Sequence, residues 1–123
     1  MGILSKLKVL IRHRRPRVVV SLDGVTYESG DGRASAVLFS ELERITIRTT
    51  SDGPFAEDVF YVLEGTSYAV EIPQGAVGNG VLFSRLQELP GFNNDAVIDA
   101  MVSVREDRFV CWEKPQSPPD PLL

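Results

Sequence analysis

The chain of 123 residues contains a single cysteine, Cys111, and a single histidine, His13. One cysteine excludes an intrachain disulfide, and one cysteine with one histidine excludes the usual zinc sites. Because His13 lies near the N-terminus, no Ser-His-Asp or Cys-His set can form in the body of the chain. Cys111 stands among Phe109, Val110 and Trp112, which predicts a small buried side chain and not a nucleophile. We therefore expect no enzyme activity, no cofactor and no metal.

Long apolar runs and phosphate-binding motifs are missing as well. No stretch of about 18 apolar residues occurs, so no membrane-spanning helix is predicted, and no secretory signal is recognisable. Gly75, Gly78 and Gly80 are not followed by Lys-Ser or Lys-Thr, which favours a flexible linker over a phosphate loop. Asp95 and Asp99 are expected to be solvated. These features predict a cytoplasmic protein, with a peripheral position at the inner membrane face left open.

The charge of the chain is distributed unevenly. Its composition, 43% hydrophobic and 24% charged, is that of one ordinary globular domain. Residues 1–17 hold six cations and no acid, whereas the remaining residues hold seven cations and seventeen acids, a net charge of −10. Because those seven cations are scattered among acids, no nucleic-acid partner is expected. An acidic body suits a basic protein partner.

Residues 1–16 form a basic N-terminal arm. Val9 points away from the apolar face of this predicted helix and Arg14 returns to it, but the other apolar residues fall on a face about 120° wide. They are Ile3, Leu4, Leu7, Leu10 and Ile11. Pro16 ends this predicted helix. The cations that could contact a membrane or a partner are Lys6, Lys8, Arg12, Arg14 and Arg15. Three interpretations stay open: packing on its own domain or on a second copy of the chain, contact with an anionic membrane, or a solvated tail.

Short strand patterns separated by turns make up residues 17–72. Alternation and β-branched residues predict strands at 17–22, 25–28, 34–39, 45–48, 58–63 and 67–72. Asp23-Gly24 predicts a two-residue type I′ turn with Gly24 at positive φ. The residues Ser40 to Glu43 predict a single helical turn with a capping box.

Helix patterns follow the strands. Leu82, Leu86 and Leu89 predict a helix over 82–89, which Pro90-Gly91 ends. Asn93 or Asn94 can cap a second helix, whose apolar residues are Ala96, Val97, Ile98 and Met101. A last short strand is predicted at 108–112. Residues 114–123 are rich in proline and should be extended or disordered.

This order of elements predicts an α+β fold in one domain, residues 17–113. We expect a curved antiparallel sheet or a partly open barrel, with C-terminal helices and the N-terminal basic amphipathic helix. One strand face and one helix stripe should form the core, which we predict to contain Val18, Val20, Ile45, Ile47, Phe60, Val62, Val70, Ile72, Leu82, Leu86 and Leu89.

The stretch from Val37 to Ile47, VLFSELERITI, resembles a run found in small bacterial members of the pleckstrin-homology-like (PH-like) superfold. The resemblance covers roughly residues 17–90 and implies the sheet and helix described above. Eukaryotic pleckstrin-homology domains carry basic residues around the first hairpin to hold inositol phosphates. Here that hairpin is Leu22-Asp23-Gly24-Val25, with an acid and no cation, so the resemblance argues against phosphoinositide binding at that place.

The predicted function is that of a non-enzymatic protein-binding module of small bacterial type, with an inhibitor or immunity-like protein as one version. The alternative is a peripheral membrane or scaffold adaptor that uses the basic arm. The predicted contact surface is the loop 52–58, where Phe55 offers an aromatic anchor beside Asp52, Glu57 and Asp58. The competing interpretation is that Phe55 closes the end of the sheet.

Overall fold

The computed structural model of the protein describes residues 15–51 and 58–116. Its elements are β1 (Arg17–Val20), β2 (Gly24–Glu28), β3 (Ala34–Leu38), β4 (Arg44–Thr49), β5 (Val59–Glu64), β6 (Ala69–Pro73), helix α1 (Asn79–Gln87), helix α2 (Asn94–Val102) and β7 (Asp107–Glu113). The predicted arm helix, most of the loop 52–58 and most of the tail 114–123 lie outside the described residues.

Antiparallel pairing divides these strands into two sheets. Sheet A has the order β1-β2-β3, and sheet B has the order β6-β5-β4-β7. The chain passes from one sheet to the other through a 3-10 turn, Phe39–Glu41, which lacks the predicted side-chain cap. The α+β class and the C-terminal helices are therefore confirmed. Within the described residues the strands form two sheets that do not close into a barrel.

The core draws residues from both sheets and both helices. Among the predicted core residues, those buried in the central cluster are Val18, Ile45, Ile47, Val70, Ile72, Leu82 and Leu86. Val20 and Leu89 are only half-buried at its margin. Helix α1 lies against β1 and over β5, where the rings of Phe83 and Tyr61 stack with centroids 6.2 Å apart. Helix α2 lies over β7 and β4. One side of sheet B is thus covered by helices.

Val62 is buried as predicted, at 6% exposed, but it and Phe60 do not belong to the central cluster, so the predicted inward face of β5 is wrong. Ile47 pairs with Tyr61 and Ile45 with Leu63, so Tyr61 and Leu63 share the core face with the isoleucines. Phe60 and Val62 lie on the opposite face, where the Arg48 guanidinium stands 4.4 Å from the Phe60 ring centroid. Because all residues from Val59 to Leu63 are apolar, alternation could not choose the inward face.

The predicted type I′ turn at Asp23-Gly24 is also wrong. The Ser21 N–H donates to the Gly24 carbonyl at 2.9 Å, so Leu22 and Asp23 are the turn residues. Gly24 does not have a positive φ, and it pairs with Leu38 in sheet A. A Cβ at Gly24 would lie 2.3 Å from the Val37 carbonyl oxygen. The glycine is therefore required by the close approach of β3 and not by the turn.

The last strand, β7, confirms the strand predicted at 108–112 and adds an irregularity. Its register with β4 shifts so that Ile45 pairs with Trp112 while Thr46 pairs with Val110. Cys111 is the extra residue of this β-bulge, which places Cys111 and Trp112, consecutive in sequence, both inside the core. The Trp112 indole N–H donates to the Pro90 carbonyl at 2.9 Å, which ties β7 to the loop before α2.

Candidate interaction surface

Helix α2 is capped at both of its ends and is tied to β7 at its N-terminal end. The Asn93 side-chain oxygen accepts a hydrogen bond from the Ala96 N–H at 3.1 Å, which confirms Asn93 as the N-cap. The Asn93 N–H donates to the Cys111 carbonyl of β7 at 2.7 Å. At the other end, the Ser103 N–H donates to the Ala100 carbonyl at 3.2 Å. These bonds orient the helix with Val97 and Ala100 buried.

The opposite side of α2 is apolar and uncovered in the described part of the chain. Ile98, Met101 and Val102 are 60%, 41% and 73% exposed, and Val104 just after the helix is 87% exposed. Spaced at i, i+3 and i+4, the three helical residues form one stripe. Single exposed apolar residues are common on proteins, but a contiguous group is typical of interaction sites. We call Ile98, Met101, Val102 and Val104 the α2 face.

One flank of the α2 face is acidic. At 100° per residue, Asp95 and Asp99 lie beside Val102 on the helix, and both are exposed. The helix contains no lysine, arginine or histidine. A helix that binds along this stripe would therefore meet aliphatic side chains in the middle and carboxylates at one edge.

The α2 face lies at one end of sheet B. The Met101 sulfur is 3.5 Å from the Gln74 side-chain nitrogen, and the Gln74 N–H donates to the Val59 carbonyl at the start of β5. The predicted contact loop leaves from this same end, since the Thr50 N–H donates to the Asp58 carbonyl at 2.9 Å. Asp58 is exposed, whereas Asp52, Phe55 and Glu57 lie outside the described residues.

Of the predicted arm cations, only Arg15 is described, and it is exposed. Lys6, Lys8, Arg12 and Arg14 lie outside the described residues. The position at which the arm joins the body is well defined, because the Val77 N–H donates to the Pro16 carbonyl at 2.9 Å. Arg15 and Val77 line the same groove at this point. The arm therefore starts beside the linker that precedes α1.

Sequence reasoning missed the α2 face, although a signal was present. Ala96, Val97, Ile98 and Met101 were expected to be the apolar side of the helix, without a choice between inward and outward residues. On a helical wheel the apolar positions from Ala96 to Val102 span about 240°, more than one core-facing stripe of about 100° requires. An excess of this size indicates a second apolar face, and packing on β7 decides which residues form it.

On the face of sheet B opposite the helices, several charged side chains pair with one another. The Arg48 side chain donates from Nε to the Glu71 carboxylate at 3.3 Å while it stacks on Phe60. Arg44 lies 3.4 Å from the Glu113 carboxylate and 3.7 Å from that of Glu64. Such exposed pairs contribute little to stability. They place paired opposite charges along this face, so it offers a weaker apolar docking surface than the α2 face.

Cys111 is the one thiol of the chain, and it is 1% exposed as predicted for a small buried side chain. Burial raises the pKa of the Cys111 thiol to about 11. The thiolate is the nucleophilic form of cysteine. At neutral pH the side chain is therefore protonated, packed and unsuited to nucleophilic attack.

A thiol-labelling experiment checks this state of Cys111. At about pH 8 a thiol with a pKa near 11 is ionised in about one molecule in a thousand. We expect 5,5′-dithiobis-(2-nitrobenzoic acid) to react with the native chain at no more than about a hundredth of the rate measured in concentrated guanidinium chloride. Rapid stoichiometric labelling of the native chain would contradict both the burial and the raised pKa.

No helix in the described ranges 15–51 and 58–116 is long and apolar enough to span a membrane. Comparisons with protein-family models, with curated proteins and with solved structures each find no match for the chain.

Proposed function

We propose that the protein is a non-enzymatic protein-binding module, and that its α2 face receives a basic amphipathic helix of a partner protein. The observation that carries this proposal is the exposed apolar stripe of Ile98, Met101 and Val102, flanked by Asp95 and Asp99. Helix recognition of this type uses apolar anchors at i, i+3 and i+4 that fit an apolar strip.

The rigidity of α2 supports the proposal. The N-cap, the Asn93 bond to β7 and the buried side chains of Val97 and Ala100 hold the helix in one orientation. A surface that is already ordered before binding loses little conformational freedom when a partner docks. The flexible thioether of Met101 can adapt to the side chains of that partner.

Charge also favours a basic partner. The body of the chain is strongly acidic, and Asp95 and Asp99 place two of its carboxylates at the edge of the α2 face. Opposite charges accelerate encounter and favour one orientation of the docked helix. An inhibitor or immunity-like protein that captures a basic target is one version of this function. Asp58, at the same end of sheet B, would extend the acidic rim.

We further propose that the domain is a member of the PH-like superfold with additions. Support comes from the two antiparallel sheets, the short turn at 39–41 before β4 and the helix α1 after β6. Helix α2 and strand β7 are the additions, because they follow the segment that carries the resemblance. On this proposal the interaction surface belongs to the added helix and not to the first hairpin, whose turn residues are Leu22 and Asp23.

The test uses the full chain and a double substitution, Ile98→Glu with Val102→Glu. Both side chains are exposed, so thermal unfolding should change little. Loss of a central apolar anchor typically weakens binding by about 2 kcal/mol, which is about 30-fold in Kd. The measurement is a pull-down from native lysate with quantitative mass spectrometry. The double variant should capture much less of any partner that the wild-type chain enriches. The segment of that partner that contacts the α2 face should be basic and amphipathic.

The matched control is Leu22→Glu, since Leu22 is 96% exposed but lies at the turn of sheet A. This variant should capture as much of the partner as the wild-type chain does. A partner retained equally by the α2-face variant would contradict the proposed surface. Salt-sensitive binding of the chain to phosphatidylserine vesicles, without a protein partner, would instead favour the adaptor function. Turnover of a small molecule, lost on replacing a carboxylate, would overturn the non-enzymatic function altogether.

A further inference from the structure

We infer that the free edge of β3 pairs antiparallel with the same edge of a second copy of the chain. The two copies of three-stranded sheet A then join into one continuous sheet. This pairing uses a surface far from the added helix α2 in the strand order, and it does not depend on the proposed function.

Alternate residues of β3 direct their backbone N–H and C=O groups away from β2. The Ser29 N–H donates to the Arg33 carbonyl at 2.8 Å, and the Phe39 N–H donates to the Asp23 carbonyl at 2.9 Å. The odd-numbered residues of β3 therefore bond to β2. In the ranges that the structure describes, the other N–H groups have no hydrogen-bond partner, and they belong to Ala34, Ala36 and Leu38.

The side chains beside this edge leave room for another backbone. Ala34, Ser35, Ala36 and Leu38 are all exposed, and three of them are small. Strand β6 approaches β3 on the core side, where Val37 is buried. The sequence of β3 contains no charged residue and no proline, the two kinds of residue that commonly protect a sheet edge. An edge of this type is open to pairing with another strand.

The other sheet edges are occupied or protected. The edge of β1 is bonded to the chain after β6, because the Val18 N–H donates to the Val77 carbonyl at 2.8 Å. The edge strand β6 carries the charged Glu71 and Pro73, which has no N–H to donate. Helix α2 packs on β7. Within the described residues, β3 is thus the edge most open to strand pairing.

A second copy fits this edge because the edge is complementary to itself. An antiparallel register with Ala36 opposite Ala36 of the second copy brings all three outward residues into pairs. Each Ala36 N–H then donates to the Ala36 carbonyl of the other copy, and each Leu38 N–H donates to the Ala34 carbonyl of the other copy. These are about four new backbone hydrogen bonds. The larger Leu38 side chain lies opposite the small Ala34.

Charge is compatible with this arrangement. Each chain has a net charge of −4, but no like charges meet along the paired edge. Val19, Thr26 and Ala36 form one row across the outer face of sheet A, and the pairing continues this uncharged row into the second copy. Because the edge of β1 is already bonded, the joined sheet is closed at both ends. The expected product is a two-fold symmetric dimer and not a fibre.

The dimer should be weak. Two five-residue strands bury less surface than the roughly 1,200 Å² that marks a standard interface. We expect a dissociation constant on the order of 100 µM. The chain should then be mostly monomeric at about 10 µM and mostly dimeric at about 1 mM.

The experiment is sedimentation equilibrium of the full chain over this concentration range. Ala36→Lys should lower the association constant at least about 10-fold, because two ammonium groups meet at the symmetry axis. An equimolar mixture of Ala36→Lys with Ala36→Glu should regain at least the association of the wild-type chain, since opposite charges then meet. The mixture also separates lost pairing from lost folding, because misfolded variants would not regain association.

The matched control is Thr26→Lys, which adds the same charge to an exposed residue of the same row on β2. The two new lysines would be about 14 Å apart across the dimer, where salt screens their repulsion. This variant should associate within about 2-fold of the wild-type chain.

A wild-type chain that stays monomeric at about 1 mM would overturn the inference, even if β3 then binds an extended segment of another protein. Equal association of the wild-type chain and Ala36→Lys would overturn it, and so would a charge-swapped mixture that gains nothing. A dimer lost on Ile98→Glu with Val102→Glu, but kept by Ala36→Lys, would place the contact between copies on the α2 face instead.

Discussion

Replacing Leu86 with alanine should lower the free energy of unfolding by about 2–5 kcal/mol. Leu86 is fully buried in α1 and belongs to the cluster that joins both sheets and both helices. The substitution removes most of an aliphatic side chain and leaves a cavity, because the surrounding strands cannot collapse fully into the space. Equilibrium unfolding in urea measures this change. The urea concentration at the midpoint should fall, while the slope of the unfolding free energy against urea concentration should stay the same.

Val81→Ala is the matched control for Leu86→Ala. Val81 belongs to the same helix but is 65% exposed. Its replacement loses little burial and gains helix propensity, so we expect a change within about 0.5 kcal/mol. Similar unfolding midpoints for the two variants would show that α1 does not close the core.

The second large effect is expected for Gly78→Ala. Gly78 precedes α1 with a φ of +91°, and a Cβ there would lie 2.3 Å from the Val18 carbonyl oxygen. The left-handed conformation costs a residue with a side chain about 1–3 kcal/mol. Pushing α1 away from β1 adds about 1–3 kcal/mol more. We therefore expect Gly78→Ala to lower the free energy of unfolding by about 2–5 kcal/mol.

Two other glycines separate these contributions. Gly91 has a φ of +82° but open space around a built Cβ, so Gly91→Ala should show the conformational cost alone. Gly24 has no positive φ but would meet the Val37 carbonyl oxygen at 2.3 Å, so Gly24→Ala should show the steric cost alone. Chemical unfolding of the three variants should place Gly78→Ala as the most destabilised. A Gly78→Ala variant no less stable than Gly91→Ala would contradict the close contact between α1 and β1.

Local patterns were enough to predict most of the elements. The capping of α2 by Asn93 and the last strand, β7, follow from short-range hydrogen bonding and alternation, and both are confirmed. The burial of Leu82 and Leu86 follows from helical spacing. Each of these features depends on a few neighbouring residues, so the sequence carries its signal directly.

The candidate site could be predicted less well. The sequence placed the contact surface in the loop 52–58, and for Asp52, Phe55 and Glu57 this stays a prediction. It identified an apolar helix at Ala96 to Met101 but could not say which side of it would stay uncovered. Only the packing of Val97 and Ala100 on β7 leaves Ile98 and Val102 outside.

By itself the sequence determined the α+β class, the order of strands and helices and the burial of Cys111. Tertiary structure decided the division into two sheets, the inward face of β5, the steric role of Gly24 and the existence of the α2 face. The physical reason is the range of the interactions. Caps, turns and alternation act between residues close in the chain, whereas the burial of a side chain depends on which distant strand or helix covers it.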